Sequence, residues 1–129
     1  MVIDTSVLIC ILFDEPDRDI FQRVIEASQT RLVSAVSKLE TSMVLIGRHG
    51  PSAGPEADLL LSKLAAVVVP LDEHQADLAR DAFARFGKGR HRAGLNLGDC
   101  AAYALAISEG EPLLFKGTDF GATDVESML

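Results

Sequence analysis

Four acidic residues stand at places where the sequence predicts the end of a strand or the beginning of a helix. Asp4 directly follows the first short apolar strand, and Asp119 comes soon after the last one. Glu40 and Asp99 each lie in the first turn of a predicted helix. Open parallel sheets bind ligands at the carboxyl ends of their strands, so these side chains are candidates for a shared site.

Carboxylates in such places favour the binding of a divalent cation. Asp4 follows Ile3 and Glu40 follows Leu39, so both acids are expected near the core, where an uncompensated charge is costly. Clustered carboxylates also repel one another and raise each other's pKa. Mg²⁺ or Mn²⁺, which prefer oxygen ligands, would relieve both effects. Such a site can activate water and stabilise the charge of an in-line phosphoryl displacement.

Each acid also has a purely structural interpretation. Asp99 and Glu40 could be first-turn residues that interact favourably with the helix dipole. Asp119 could be a turn residue beside Gly117. Asp4 is harder to explain in this way, because an acid that enters a buried helix directly after a core strand has little structural use. The set is therefore more informative than any one of its members.

Short apolar strands that alternate with helices predict the scaffold around these acids. Asp72 and Asn96 are predicted to cap their helices, and Ser37 is predicted to cap another, with Glu40 at the capping-box spacing. Apolar strands between helices are typical of a parallel sheet covered on both faces, so the predicted fold class is α/β. The predicted strands are residues 2–3, 31–34, 66–69 and 113–115, and the predicted helices are residues 6–13, 17–29, 37–48, 56–64, 72–86 and 97–109.

The composition predicts a single globular domain that spans residues 1–129. The chain is 48% apolar, and its 12 Lys and Arg against 19 Asp and Glu give a net charge of −7. This balance argues against a broad basic surface for duplex nucleic acid, although it leaves room for a local basic strip. The two cysteines are far apart, and no apolar run approaches the ~20 residues of a membrane span. We therefore expect a cytoplasmic protein with no membrane partner.

Taken together, several segments resemble a PIN domain and, more narrowly, a VapC-type ribonuclease toxin of a bacterial toxin–antitoxin pair. These segments are residues 2–6, 37–40, 95–106 and 112–120, each of which contains one of the four acids. The resemblance runs along the whole chain, and the order and spacing of the acids fit it. It implies a three-layer α/β/α fold with a short, mostly parallel central sheet.

The resemblance also implies the activity and its residues. In a metal-dependent endoribonuclease of this kind, Asp4, Glu40, Asp99 and Asp119 would form an acidic pocket that holds Mg²⁺ or Mn²⁺. Water would be the nucleophile, and the RNA product would carry a 5′-phosphate. Other implied members of the pocket are Thr5 or Ser6 beside the ion, with Ser6 hydrogen-bonded inside the pocket, Thr118 in a supporting role, and Asp124 as a further candidate acid.

A local basic strip lies close to these acids in the sequence. Residues 88–92 contain Lys88, Arg90 and Arg92 shortly before Asp99, and Lys116 precedes Asp119 by three positions. We expect Arg90, Arg92 and Lys116 to position RNA through its phosphates rather than to read its sequence. The alternative for the strip is a solubilising loop.

The helical region 37–64 carries more apolar surface than a small sheet needs. Most of these residues are expected in the core, and some could form a partner surface. The resemblance implies two protein partners, a second copy of the chain in a homodimer and a cognate antitoxin. The apolar residues concerned are Leu39, Met43, Val44, Leu45, Ile46, Leu59, Leu60 and Leu61.

Other functions stay open at this point. A receiver-like signalling domain, which binds Mg²⁺ and accepts a phosphoryl group on an Asp, would use Lys116. It needs an acid pair after the first strand, however, where Asp4 stands alone. A haloacid-type phosphatase needs a second Asp two positions after the first, and Ser6 occupies that position. A third alternative is a binding module that keeps the pocket without catalysis.

Overall fold

Four short parallel strands form the centre of the molecule. The computed structural model describes all 129 residues. The strands are β1 (Val2–Ile3), β2 (Leu32–Ser34), β3 (Val67–Val69) and β4 (Leu113–Leu114), in the order β3-β2-β1-β4. Every pairing between neighbouring strands is parallel, as the alternation of strands and helices predicts.

Six α-helices cover this sheet, and their number and order match the sequence prediction. Two 3₁₀ turns, Pro51–Ala53 and Phe120–Ala122, complete the regular structure. Apart from α3, the predicted helix bounds agree with the structure within about two residues, which is the usual uncertainty at helix ends. The helices are α1 (Thr5–Leu12), α2 (Arg18–Ala27), α3 (Ala35–His49), α4 (Glu56–Lys63), α5 (Glu73–Phe86) and α6 (Leu97–Glu109).

The strands direct successive side chains to opposite faces, which gives the fold its three layers. On one face, Ile3 and Leu114 pack in a buried apolar cluster with residues of α1, α2 and α4. On the other face, Val2 and Leu113 pack with residues of α5 and α6. This arrangement confirms the predicted α/β/α architecture. The helices are all too short or too polar to traverse a bilayer.

Two local predictions differ from the structure. Ser34, not Ser37, caps α3, because β2 ends at Ser34 and its hydroxyl accepts a hydrogen bond from the backbone of Val36. Ser37 lies one turn further on, is buried and makes no side-chain hydrogen bond. The predicted buried strand at residues 66–69 is an edge strand, so Val67 is 59% exposed.

The carboxyl ends of the two central strands position the candidate site. β1 leads without a loop into α1 through Asp4, whose backbone N–H donates to the carbonyl of Leu114 at 2.9 Å. β4 leads into a loop that carries Asp119. The N-termini of α3 and α6 bring in Glu40 and Asp99, and these two helices contact each other.

Candidate active site

Asp4 is the most constrained acid of the candidate site and is only 4% exposed. As the N-cap of α1, its Oδ2 accepts hydrogen bonds from the backbone N–H of Ser6 at 3.0 Å and from the Ser6 hydroxyl at 2.6 Å. The same hydroxyl accepts the backbone N–H of Lys116 at 2.9 Å. Ser6 therefore makes the hydrogen bond expected of it and joins α1 to the loop after β4.

Glu40 lies half-buried between α1 and α6. Its Oε1 accepts a hydrogen bond of 2.8 Å from the Thr5 hydroxyl, which lies next to Asp4 in the chain. The backbone of Gly98 approaches so closely that a Cβ at this position would overlap the Glu40 carboxylate. Only glycine leaves room for this acid, because every other residue carries a Cβ.

Asp99 is held by its own helix terminus. Its Oδ2 accepts the backbone N–H of Asn96 at 3.0 Å, and the Asn96 side chain accepts the backbone N–H of Asp99 at 2.9 Å. This reciprocal pair is a capping box at the start of α6. The predicted cap at Asn96 is confirmed, and Asp99 is at once a cap residue and a neighbour of the other acids.

Asp119 is the exposed member of the set. It precedes the 3₁₀ turn Phe120–Ala122, and its side chain makes no capping hydrogen bond. Its charge nevertheless reaches Asp99 and contributes to a raised pKa there. Thr118, also exposed, accepts the backbone N–H of Gly121 through its carbonyl at 3.2 Å. The loop thus presents Asp119 toward the other acids without burying it.

Burial and mutual repulsion raise the pKa values of the inner three acids. Burial raises the pKa of Asp4 from 3.8 to about 6, the hydrogen bonds from Ser6 oppose that rise, and the charges of Asp99 and Glu40 add to it. The pKa of Glu40 is raised by burial and by the charge of Asp99. The pKa of Asp99 is raised by burial and by the charge of Asp119. The four predicted acids are therefore electrostatic neighbours in a continuous series.

None of the four acids forms an ion pair within the protein. An oxygen-rich, uncompensated pocket suits a hard divalent cation such as Mg²⁺ or Mn²⁺. No three acidic, histidine or cysteine side chains are arranged to hold an ion as they stand. The donor chemistry fits such a cation, and binding it would require the carboxylates to rotate from their present hydrogen bonds.

Lys116 does not have the free ammonium that the sequence analysis predicted for phosphate contact. Its Nζ is 2.7 Å from Glu15 Oε1 and 4.0 Å from Asp17 Oδ2, in the connection between α1 and α2. The hydrogen bond to Glu15 raises the pKa of Lys116. The side chain therefore ties the loop after β4 to the end of α1.

Asp124, a further candidate acid by resemblance, lies in a different environment from the four acids. Its Oδ1 accepts the Tyr103 hydroxyl at 2.7 Å and its Oδ2 accepts Arg85 at 2.9 Å. These partners lower the pKa of Asp124. Both oxygens are occupied, so Asp124 is not a member of the acidic pocket in this structure.

The predicted basic strip lies on the surface between α5 and α6. Lys88, Arg90 and Arg92 are exposed, and none of them forms an ion pair. The segment folds back on itself, since the backbone N–H of Lys88 donates to the carbonyl of Leu95 at 2.9 Å. These cations are therefore available to a polyanion, and their role stays a prediction.

Two features of the site were missed in the sequence. Gly98 is needed for the close approach of α6 to Glu40, and its signal was a glycine inside the first turn of a helix, where it costs stability unless it serves contact. The pairing of Thr5 with Glu40 had no sequence signal, because it depends on how α1 and α3 lie against each other.

The geometry can now be compared with known proteins. A family model for the PIN domain matches residues 1–126. The chain is 51% identical over 128 residues to Ribonuclease VapC30 of Mycobacterium tuberculosis, covering 99% of this chain and 98% of that protein. It is 50% identical over 128 residues to Ribonuclease VapC of Mycolicibacterium smegmatis, covering 99% of each.

The chain belongs to the VapC group of PIN-domain proteins. Its fold is shared by a solved VapC20 from M. tuberculosis, described as a sarcin-ricin loop cleaving toxin, with a TM-score of 0.76 and 16% identity over 96% of this chain and 95% of that one. A toxin–antitoxin complex from Klebsiella pneumoniae contains a chain with a TM-score of 0.70 and 19% identity, over 95% of this chain and 92% of that one.

Membership of the PIN-domain family decides between the folds and families that the sequence left open. The receiver-like and haloacid-type alternatives both belong to other families, and neither explains a family match over residues 1–126. The lone acid after β1 agrees with this outcome. The pocket formed around Asp4 is accordingly the PIN-domain candidate site.

Proposed function

We propose that this protein is a Mg²⁺- or Mn²⁺-dependent endoribonuclease that acts as the toxin of a toxin–antitoxin pair. The observation that carries the proposal is the series of four acids, three of them with raised pKa values and none with a cation of the protein beside it. Relatives at 50–51% identity over nearly the whole chain carry the name ribonuclease, which supports RNA as the substrate.

The residues of the pocket would divide the work among them. Asp4, Glu40, Asp99 and Asp119 would hold the cation, whose chemistry is the activation of water and the neutralisation of charge on the phosphate. Ser6 fixes the orientation of Asp4 and Thr5 fixes that of Glu40. With a pKa of about 6, Asp4 is mainly ionised at neutral pH and becomes protonated in mild acid.

The basic strip would bring RNA to a pocket that repels it. Arg90 and Arg92 are exposed cations without internal partners, in the loop that leads to Asp99. Each phosphate contact releases counterions, so binding through them weakens as salt rises. Replacing both by Glu should lower the salt dependence of RNA binding by about one slope unit per lost contact, whereas Arg23→Glu on α2 should not change it.

The deciding experiment is cleavage of RNA by the purified protein. We expect cleavage in Mg²⁺ or Mn²⁺, no cleavage in EDTA, and loss of cleavage in Asp99→Asn. Asp77→Asn is the matched control, because Asp77 is an exposed acid paired with Arg80 at 3.2 Å. Cleavage that survives both EDTA and Asp99→Asn would contradict the proposal, and transfer of a phosphoryl group to Asp4 would instead support the receiver-like alternative.

Exposed apolar side chains support the proposed protein partners, a second copy of the chain and an antitoxin. An apolar groove of about 470 Å³ lies between α5 and the start of α6, bordered by Leu71, Phe83 and Leu97. Leu97 is 80% exposed although it adjoins the acidic pocket. A separate exposed apolar row on α3 contains Leu39 and Met43.

The mass of the purified chain in solution tests the homodimer. We propose that the groove bordered by Leu97 holds the second copy, so Leu97→Glu should give a monomer by light scattering. Leu59→Glu changes an equally exposed leucine outside the groove and should leave the mass unchanged. A monomeric wild-type protein would contradict the homodimer.

A further inference from the structure

Arg85 and Tyr103 bring two helices to the chain segment that follows Asp119. The Tyr103 hydroxyl on α6 donates to Asp124 Oδ1 at 2.7 Å, and Arg85 on α5 donates to Asp124 Oδ2 at 2.9 Å. Arg85 also lies 3.4 Å from the Tyr103 hydroxyl and stacks on the ring of Phe86, with its guanidinium carbon 4.6 Å from the ring centre. We call this arrangement of Arg85, Tyr103 and Asp124 the Asp124 clamp.

The Asp124 clamp is well suited to fix a segment in space. Tyr103 is only 3% exposed, so its ring cannot follow a moving loop. A charge-assisted hydrogen bond on each carboxylate oxygen restrains Asp124 more than one contact would. The only other carboxylate partner of Arg85 is Asp81 on its own helix, at 3.4 Å. The clamp therefore holds the segment against the α5–α6 layer.

The segment between Asp119 and Asp124 behaves as one unit. Backbone N–H groups of Gly121, Ala122 and Thr123 donate back to the carbonyls of residues 118, 119 and 120 at 3.2, 3.3 and 3.0 Å. Phe120 anchors the unit in the core, 3% exposed, with its ring centre 5.2 Å from that of Phe115. Fixing Asp124 and Phe120 therefore fixes the backbone that carries Asp119.

Asp119 needs this support more than the other acids do. Asp4, Glu40 and Asp99 each accept a hydrogen bond from a neighbouring residue. Asp119 is exposed and makes no capping hydrogen bond. Its position relative to Asp99 thus depends on the backbone alone, and the clamp lies at the end of that backbone unit.

We propose that Tyr103 and Arg85 are positioning residues, which hold Asp124 and thereby place Asp119 beside Asp99 for cation binding. This inference rests on the proposed function, because it concerns the same pocket. It assigns a role to Asp124 that is different from ligation: this acid orders the loop that carries a ligand. Neither Tyr103 nor Arg85 touches the reacting atoms.

A double-mutant cycle on metal binding tests the proposal. Tyr103→Phe removes only the hydroxyl and should weaken Mn²⁺ binding by about fivefold to tenfold, as losses of outer contacts at metal sites commonly do. In an Asp119→Asn background the same change should alter the remaining affinity by less than about twofold, because the clamp acts through Asp119. Asp81→Asn is the matched control, since it removes a partner of Arg85 that is not on the loop.

The cycle separates positioning from general destabilisation. If Tyr103→Phe weakens Mn²⁺ binding equally with and without Asp119, the clamp only stabilises the fold and the proposal is wrong. An unchanged Mn²⁺ affinity in Tyr103→Phe would overturn it as well. Arg85→Lys provides a second variant that keeps the charge and should reproduce a smaller part of the effect.

Hydrogen exchange distinguishes a failure of this inference from a failure of the proposed function. A wild-type protein that neither binds Mn²⁺ nor cleaves RNA contradicts the proposed function. In that case faster exchange of the Gly121, Ala122 and Thr123 amides in Tyr103→Phe, with the Leu105 amide unchanged, would still support a clamp that orders the loop. Unchanged exchange at those three amides would overturn the inference.

Discussion

Asp4 and Asp124 are two carboxylates that the fold surrounds in opposite ways. Asp4 is 4% exposed and has the acids Glu40 and Asp99 as electrostatic neighbours, with no cation of the protein to balance them. Asp124 is half exposed and has a guanidinium on one oxygen and a phenol on the other. Accordingly, the pKa of Asp4 is raised to about 6, whereas the pKa of Asp124 is lowered.

The difference separates a binding site from a structural contact. A carboxylate whose partners come from its own chain contributes to the folded state without help. Carboxylates gathered without such partners reduce stability, and a ligand that supplies positive charge can recover that loss. The predictions below would break this distinction or make it sharper.

Gly98→Ala is expected to have the largest effect on the acidic pocket. A Cβ at this position would overlap the Glu40 carboxylate, so Glu40 must turn away and lose its hydrogen bond from Thr5. A displacement of this size can reduce a reaction rate by about a hundredfold. We expect RNA cleavage to fall by that factor while thermal unfolding shows a loss of only about 1–3 kcal/mol.

Gly47→Ala is the control for that prediction. Gly47 lies in α3, the helix that carries Glu40, and a Cβ there would meet no atom within 4 Å. Alanine in a helix interior is more stable than glycine by about 0.5–1 kcal/mol, so this variant should be slightly more stable and fully active. Equal activities of the two variants would show that the Gly98 contact is unimportant.

Asp4→Asn is expected to stabilise the metal-free protein at neutral pH. The folded state raises the pKa of Asp4 from 3.8 to about 6, so its folded form holds the proton more tightly than the unfolded form. Stability is therefore lost as the pH rises from about 4 to about 6, by on the order of 2–3 kcal/mol. Asparagine carries no charge and avoids this loss, and in EDTA the variant should unfold at higher urea at pH 7 but not at pH 4.

Addition of Mg²⁺ tests the same prediction from the other side. Because a ligand of the folded state stabilises it, Mg²⁺ should raise the stability of the wild type at pH 7 and have much less effect on Asp4→Asn. A wild type that is equally stable at pH 4 and pH 7 in EDTA, relative to Asp4→Asn, would mean that Asp4 has no uncompensated charge.

Local signals made much of the fold and the inner pocket predictable. Asp72 and Asn96 cap their helices because each places a short acceptor one turn before an amphipathic run. Gly110 ends α6 in the left-handed conformation that glycine adopts easily. Asp4 could be predicted as a site residue because an acid directly after a buried strand has few other uses.

Contacts between distant segments could not be predicted in this way. Lys116 pairs with Glu15 from 101 positions away, and the Tyr103 hydroxyl finds Asp124 only after the C-terminal segment has folded beside β4. No pattern in either segment specifies its partner. The cap of α3 was misplaced for a related reason, since both serines at its start suit a cap and only the end of β2 decides between them.

Ser6→Ala is expected to cost about 1–2 kcal/mol of unfolding free energy, because it leaves the Lys116 N–H without its acceptor and removes a donor from Asp4. The hydrogen bonds from Ser6 lower the pKa of Asp4, so their loss should raise it further and shift the pH dependence of stability upward. Urea unfolding at several pH values measures both effects. Ser42→Ala, which removes a hydroxyl bonded within α3, should produce no such shift.

Asp124→Asn should give the smallest change and one of opposite sign to that of Asp4→Asn. The lowered pKa of Asp124 means that its stabilising contribution is present above its unfolded pKa and is lost as the pH falls through its folded pKa. Since the ion pair with Arg85 is half exposed, its loss at pH 7 should cost less than about 1 kcal/mol. Urea unfolding at pH 7 and pH 3 should show a deficit that shrinks in acid and does not respond to Mg²⁺ except through Asp119. If Asp124→Asn instead stabilised the metal-free protein at pH 7, Asp124 would resemble Asp4, and the two carboxylates would no longer differ in kind.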